Sequence, residues 1–150
     1  MEESQTDTYD VVVIGGGPAG YAAALYGASA DQRIALVEKD KVGGTCMHRG
    51  CIPANELLES AAVRRAVAHA DQFGVNGECV TVDWSTSVDL KQKVVDQLAS
   101  GLSQLLAGRK VDVFSGTGSL GEAHQVFVDA ADGTRTTLVG RAVVLAPGSV

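Results

Sequence analysis

The 150-residue sequence predicts an α/β fold built on a parallel sheet, with an antiparallel hairpin towards its end. Three observations carry this. A short β-branched run, Tyr9 to Ile14, feeds a glycine-rich turn and then an alanine-rich stretch. A second apolar run, Arg33 to Val37, follows and ends on Glu38. Near the end, Asp132-Gly133 separates two alternating runs. Apolar runs without polar alternation mark strands buried on both faces, as in a parallel sheet. Asp-Gly between alternating runs marks a tight antiparallel turn.

The first unit is the most informative. Gly15-Gly16-Gly17-Pro18-Ala19-Gly20 spells G-x-G-x-x-G between a strand and the helix expected over Tyr21 to Ala30. Each glycine has a physical role. Gly15 allows the tight turn, Gly17 the close approach of backbone to a pyrophosphate, and Gly20 close helix–strand packing. The helix N-terminus then faces the phosphate charge. Glu38 stands eighteen residues beyond Gly20 at the end of the second strand. A carboxylate there accepts hydrogen bonds from both hydroxyls of an adenosine ribose and repels a 2′-phosphate. The P-loop alternative fails because Tyr21 stands where that pattern needs Lys.

Next comes Gly43-Gly44-Thr45-Cys46-Met47-His48-Arg49-Gly50-Cys51-Ile52-Pro53. In one regular helix the two cysteines would have Cα atoms about 8–9 Å apart. A disulfide needs them within about 7 Å, so bridging requires a distorted first turn, which Gly50 can provide. Such a small loop contributes only about 2 kcal/mol by chain entropy, which suits a redox element better than a staple. A helix starting here would favour a thiolate at its N-terminus. Inert core cysteines, a structural disulfide, or half of a metal site with His48 are the competing readings. The last lacks ligands, because Cys79 is alone and no second pair stands at ligand spacing.

The rest of the chain reads as scaffold. Glu56 to Ala70 is amphipathic and helical, with Arg64-Arg65 on a solvated face. Phe73 to Val82 is a loop with a short strand, in which Cys79 is a small packing residue. Trp84 reads as an anchor ahead of a polar turn. Ser87 to Leu106 is the longest helix, with Val88, Lys91, Val94, Val95, Leu98, Leu102, Leu105 and Leu106 recurring at three- and four-residue steps, ended by Gly108. Val111 to Phe114 is a third parallel strand, followed by Ser115-Gly116-Thr117-Gly118. Gln125 to Ala130 and Thr136 to Val139 flank the Asp-Gly turn, and Ala142 to Ala146 is a last strand.

Composition bounds the function. Net charge is −6 with no Lys/Arg block, which argues against nucleic-acid binding. No apolar run reaches the roughly 18 residues of a membrane span. The first ten residues are acidic and polar, unlike a basic leader. Three cysteines without a signal peptide point to a reducing compartment, hence a cytoplasmic location, where a cysteine pair is more often catalytic than structural.

Taken together, G-x-G-x-x-G, Glu38-Lys39 and Gly-Gly-Thr-Cys-x4-Cys-Ile-Pro resemble the class I pyridine nucleotide-disulfide oxidoreductases. Within that family, Gly50-Cys51-Ile52-Pro53-Ala54-Asn55-Glu56-Leu57-Leu58 is similar to the dihydrolipoyl dehydrogenases. The resemblance implies a three-layer, doubly wound FAD/NAD(P)-binding Rossmann-like domain with a small antiparallel β-meander. It implies FAD at this site and NAD in the full-length enzyme. Gly15, Gly17 and Gly20 would hold the FAD pyrophosphate, and Glu38 with Lys39 the adenosine end. Gly43, Gly44 and Thr45 would line the path towards the flavin, and Gly118 would touch the adenine. Cys46 would be the interchange thiol and Cys51 the charge-transfer thiol of a redox disulfide. Implied partners are the lipoyl-bearing acyltransferase of a 2-oxo acid dehydrogenase complex and a second subunit in a homodimer. No nucleic acid, membrane or metal is expected.

Two positions depart from the family pattern. Asn55 stands where a Lys is usual, four residues after Cys51 and on the same helical face. Pro147-Gly148-Ser149 stands where Thr-Gly-Ser is usual, so one backbone N–H near the flavin is lost, leaving Gly148 and Ser149 as the contacts expected there. No second G-x-G-x-x-G for NAD and no later His-Glu pair is present. Residues 1–150 are therefore expected to be the N-terminal part of an FAD-binding domain. Related reductases of glutathione or mercuric ion, and a catalytically inactive flavin-binding fragment, are the rival readings.

Overall fold

The structure, a computed structural model, describes residues 7–77 and 81–149. They group into two compact units, one of Met1–Gly44 with Ala99–Val150 and one of Thr45–Leu98.

The larger unit is organised by one six-stranded sheet in the order β3-β2-β1-β6-β5-β4. Its strands are β1 (Asp7–Ile14), β2 (Ile34–Glu38), β3 (Asp112–Ser115), β4 (Thr117–Leu120), β5 (Gln125–Asp129) and β6 (Arg135–Leu145). β1, β2, β3 and residues 138–145 of β6 pair in parallel. β4, β5 and the first half of β6 form the antiparallel meander. The two strands expected over Thr136–Val139 and Ala142–Ala146 are thus halves of one strand of 11 residues. Gly140 sits at their junction. A Cβ there would stand 2.6 Å from the Ala142 carbonyl oxygen and 3.1 Å from Val12 Cγ2. Only glycine permits that approach, one residue past Val139, the last residue of β6 that pairs with β5.

The consequence is a layered core. Val126, Val128 and Leu138 of the meander pack with Tyr9, Val12, Ala35 and Val37 of the parallel strands. Ile34 and Leu36 alternate with these onto the opposite face and are also buried. There Ile34 lies under α1 (Pro18–Ser29): a Cβ on Gly27 would be 2.8 Å from Ile34 Cδ1. Helix, parallel sheet and meander are the three expected layers. Each such apolar side chain, fully buried, stabilises the fold by about 2 kcal/mol.

The Asp-Gly turn forms as expected. Gly133 has φ 85°, the Ala130 N–H donates to the Thr134 carbonyl at 2.9 Å, and the Thr134 N–H donates to Asp132 Oδ1 at 2.9 Å.

The smaller unit is helical. It contains α2 (Gly44–His48) from Thr45 on, α3 (Cys51–Ala68), a 3₁₀ turn at Ala70–Phe73 and the start of α4 (Trp84–Gly108). α3 begins five residues earlier than its apolar pattern shows, because Pro53 falls in the first turn, where a missing N–H costs nothing. α4 also begins early. Asp83 caps it, accepting the Ser85 and Thr86 N–H groups on Oδ1 at 3.0 and 3.3 Å and the Thr86 hydroxyl on Oδ2 at 2.7 Å. Trp84 is therefore the first residue of a helix, and it is 62% exposed rather than an anchor. The short strand expected around Cys79, and Cys79 itself, lie outside the described residues.

Candidate functional site

The glycine-rich loop joins β1 to α1 within the larger unit. Gly15 turns the chain with φ 103°, and a Cβ there would overlap the Ala146 carbonyl, so both conformation and space demand glycine. Gly20 lies against the Gly15 carbonyl, which a Cβ would also overlap. Gly17 differs from both. It is the N-cap of α1 with φ −70°, and nothing lies within 4 Å of where its Cβ would be. Neither backbone nor neighbours account for a glycine at 17: the space its Cβ would take is open. No side chain caps α1 and its first turn holds no acidic residue, which suits an anion at that terminus.

Glu38 leaves the end of β2 towards the same loop. Its Oε2 accepts the Gly16 N–H at 2.6 Å and its Oε1 accepts the Asp40 N–H at 2.8 Å. A Cβ on Gly16 would be 3.1 Å from Oε2, so glycine at 16 lets the carboxylate lie over the loop. The family pattern leaves this middle position free; three successive glycines were the only sequence hint of its role. A cleft of about 160 Å³ opens beside Glu38, lined by Ile14, Gly15, Val37, Lys39, Gly118 and Pro147 among others. Its floor is apolar: a Cβ on Gly118 would touch Ile14 Cγ2 at 2.9 Å and Val37 Cγ1 at 3.2 Å. The sequence presents Ile14 and Val37 as core strand residues, and only the packing of β4, which pairs with β5, against β2 turns them into a cleft floor. Pro147 lines the cleft; Gly148, with φ 75°, and Ser149 continue beyond it, both exposed.

Gly43 and Gly44 close the other side of the loop. The Gly43 N–H donates to the Gly16 carbonyl at 2.8 Å, and a Cβ on Gly44 would stand 2.8 Å from Gly17 Cα. The sequence-predicted glycines, Glu38, Lys39 and Gly118 therefore converge in the larger unit.

Thr45, Cys46, Cys51 and Asn55 all belong to the smaller unit. Cys46 and Cys51 are joined by a disulfide with Cα atoms 4.7 Å apart. That distance is reached because the chain is not one helix. α2 ends at His48, Gly50 takes φ −129° and ψ −107°, and α3 starts at Cys51. Gly50 also tucks under the α2 turn, where a Cβ would be 3.2 Å from the Thr45 carbonyl oxygen. Cys51 thus occupies the first position of an 18-residue helix with no acidic residue in its first turn. Asn55 is exposed one turn further along α3, on the face of Cys51. Thr45 is exposed and Cys46 half-buried.

A glycine-rich strand–turn–helix loop and a disulfide of short span stand on one α/β chain. Residues 9–150 match the family model described as pyridine nucleotide-disulphide oxidoreductase. The chain belongs to that family. A dihydrolipoyl dehydrogenase of Bacillus subtilis is 47% identical over 112 residues, covering 75% of this chain and 24% of that protein. Another, from Chlamydia pneumoniae, is 40% identical over 144 residues, covering 96% of this chain and 31% of that protein. Among solved structures, the Cu(II) complex of the HOCl-induced flavoprotein disulfide reductase RclA from Escherichia coli superposes with a TM-score of 0.74 at 27% identity, covering 95% of this chain and 29% of that one. The chain spans about a quarter to a third of the length of the relatives it matches. Among the described residues, no helix is long and apolar enough to cross a membrane.

Proposed function

We propose that residues 1–150 form the N-terminal part of an FAD-binding domain in a dihydrolipoyl dehydrogenase. The observation that carries this reading is the Cys46–Cys51 disulfide set across a glycine break at the N-terminus of α3. A disulfide closing so short a loop adds little to stability, while Cys51 at a helix N-terminus is placed to leave as a thiolate.

The residues fit FAD. Gly15, Gly17 and Gly20 with the α1 N-terminus would hold its pyrophosphate. Glu38 would take the ribose, and Lys39 and Gly118 would flank the adenine end over the floor of Ile14 and Val37. Gly43, Gly44 and Thr45 lead towards the cysteines, with Asn55, Gly148 and Ser149 as further contacts. When bound, FAD supplies the acceptor for the electron pair of the reduced cysteines, with NAD+ as the final acceptor in the full-length enzyme.

The chain's own chemistry is thiol–disulfide exchange. One thiolate of a dihydrolipoyl group attacks Cys46 Sγ; the Cys46–Cys51 bond breaks and Cys51 leaves as a thiolate. The substrate's second thiolate then attacks the substrate sulfur of the mixed disulfide. Cys46 leaves as a thiolate and the substrate closes as a disulfide. The substrate loses two electrons and two protons, the cysteine pair gains the electrons, and the protons pass to solvent. The lipoyl-bearing acyltransferase of a 2-oxo acid dehydrogenase complex is the proposed partner, in a cytoplasmic homodimer.

Asn55 and Pro147 favour a second reading, in which the chain belongs to another disulfide reductase or to a flavin-binding protein without turnover. The deciding experiment mixes the purified chain with FAD, removes free FAD, and records the visible spectrum before and after dihydrolipoamide. Retained flavin absorbance with a new long-wavelength band supports the proposal. Retained flavin with a Cys46–Cys51 disulfide that dihydrolipoamide does not reduce, by thiol counting, selects the second reading.

A further inference from the structure

We propose that Pro53 is a positioning residue for the cysteine pair. It keeps α2 and α3 from merging into one helix when the Cys46–Cys51 bond is open, so the two thiols stay within bonding reach. The proposal rests on the redox role given above to that pair, and it starts from the register of α3. The Ala54 N–H donates to the Gly50 carbonyl at 2.9 Å, the first i to i−4 bond of the helix. Cys51, Ile52 and Pro53 are therefore the residues of α3 whose nitrogens have no acceptor inside it. Pro53 takes the last of these positions. Were α3 to begin one residue earlier, position 53 would have to donate to the Arg49 carbonyl. Proline has no N–H to give, and its ring would meet that carbonyl.

The other local features permit the break without enforcing it. Helical bonding runs up to it, since the Arg49 N–H donates to the Thr45 carbonyl at 2.8 Å. Gly50 then takes φ −129° and ψ −107° and supplies no side-chain cap for α3. A glycine inside a helix disfavours it about fivefold relative to alanine, whereas a proline does so by more than about a hundredfold. No residue of α2 or α3 is buried, so the start of α3 is set locally. The disulfide and Pro53 are the two strong local constraints, and reduction removes the first.

The consequence lies in reclosure. A merged helix would set the Cys46 and Cys51 Cα atoms about 8–9 Å apart, beyond the roughly 7 Å that a disulfide spans. The broken chain holds them at 4.7 Å. With the break kept through reduction, the pair passes on its two electrons and closes again without rebuilding its backbone. Such preorganisation favours the disulfide form at equilibrium.

The test uses the full chain carrying Cys79→Ser, equilibrated with mixtures of reduced and oxidised glutathione. Two glutathione thiols give two electrons and two protons to the pair and join as glutathione disulfide. The fraction of open pair is read by alkylation and mass. Pro53→Ala lowers the ratio [GSH]²/[GSSG] at half-reduction about tenfold, because only the open form gains the merged helix. Hydrogen exchange at residues 50–52 supplies a readout that a general loss of stability does not mimic. In the parent these amides exchange alike in both redox states; in Pro53→Ala they slow on reduction. A chain with Cys46→Ser and Cys51→Ser, which lacks the bond altogether, shows the same slowing when Pro53→Ala is added. An unshifted glutathione midpoint, parent amides that slow on reduction, or a serine pair indifferent to Pro53→Ala overturns the proposal. A shifted midpoint in a chain whose disulfide dihydrolipoamide fails to reduce upholds Pro53 and rejects the dihydrolipoyl reading. An unshifted midpoint in a chain that dihydrolipoamide does reduce has the reverse meaning.

Discussion

Replacing Glu38 by Gln separates its two roles. In the structure the carboxylate is a bracket: Oε2 holds the Gly16 N–H at 2.6 Å and Oε1 holds the Asp40 N–H at 2.8 Å. Gln keeps the length and one acceptor but replaces the other oxygen with an NH2 donor. The retained oxygen goes to Gly16, which is buried, and the NH2 then meets the Asp40 N–H donor to donor. One charge-assisted bond is lost and one is weakened to a neutral one, a cost of about 1.5–3 kcal/mol. Urea denaturation of the apo chain reads this directly, as a lower midpoint with an unchanged slope. FAD retention falls as well, because the ribose hydroxyls lose an ionised acceptor. A change within about 0.5 kcal/mol, the range of ordinary surface substitutions, would refute the idea that Glu38 braces the loop. Loss of FAD alone would then leave ligand binding as its only role.

Gly17→Ala should do the converse. With φ −70° and open space around the new Cβ, it leaves stability within about 1 kcal/mol, yet weakens FAD binding about tenfold by filling that space, as read by flavin fluorescence after ultrafiltration. Asn55→Lys places a cation on the Cys51 face of α3 and should raise the long-wavelength charge-transfer absorbance of the full-length reduced enzyme; an unaltered spectrum removes position 55 from the account. Asp10 bears on stability against pH. Its carboxyl is held below the usual carboxylate value of 3.8, first by the Arg33 backbone N–H and then by the Arg141 guanidinium. A depressed carboxyl stabilises the fold above its unfolded value and loses that contribution as pH falls through the folded one. Asp10→Asn should therefore lower the denaturation midpoint at neutral pH, with the gap to the parent closing below about pH 4.

The sequence by itself determined the parts whose physics is local. A β-branched run, a glycine turn and an alanine-rich helix specify β1, the loop and α1 through strand propensity, turn stereochemistry and helix propensity, all settled within about twenty residues. The Asp132-Gly133 hairpin is local in the same way. The disulfide was legible as a requirement for a broken helix, since regular helical spacing puts the two Cα atoms too far apart, and Gly50 was the residue able to break it.

Tertiary structure decided what depends on neighbours distant in the chain. The fusion of two expected strands into β6 rests on Gly140 meeting Val12, a contact 128 positions away in sequence. The meander becomes a layer only because Val126 and Val128 pack with Val12 and Ala35. The role of Gly16 depends on where the Glu38 side chain falls, and the cleft floor at Ile14 and Val37 on Gly118 of another strand passing without a Cβ. The early start of α3 follows from a proline that periodicity alone reads as a breaker, and that of α4 from a cap outside its apolar stripe. Apolar periodicity reports which face of an element is buried; which partner buries it is a property of the assembled chain.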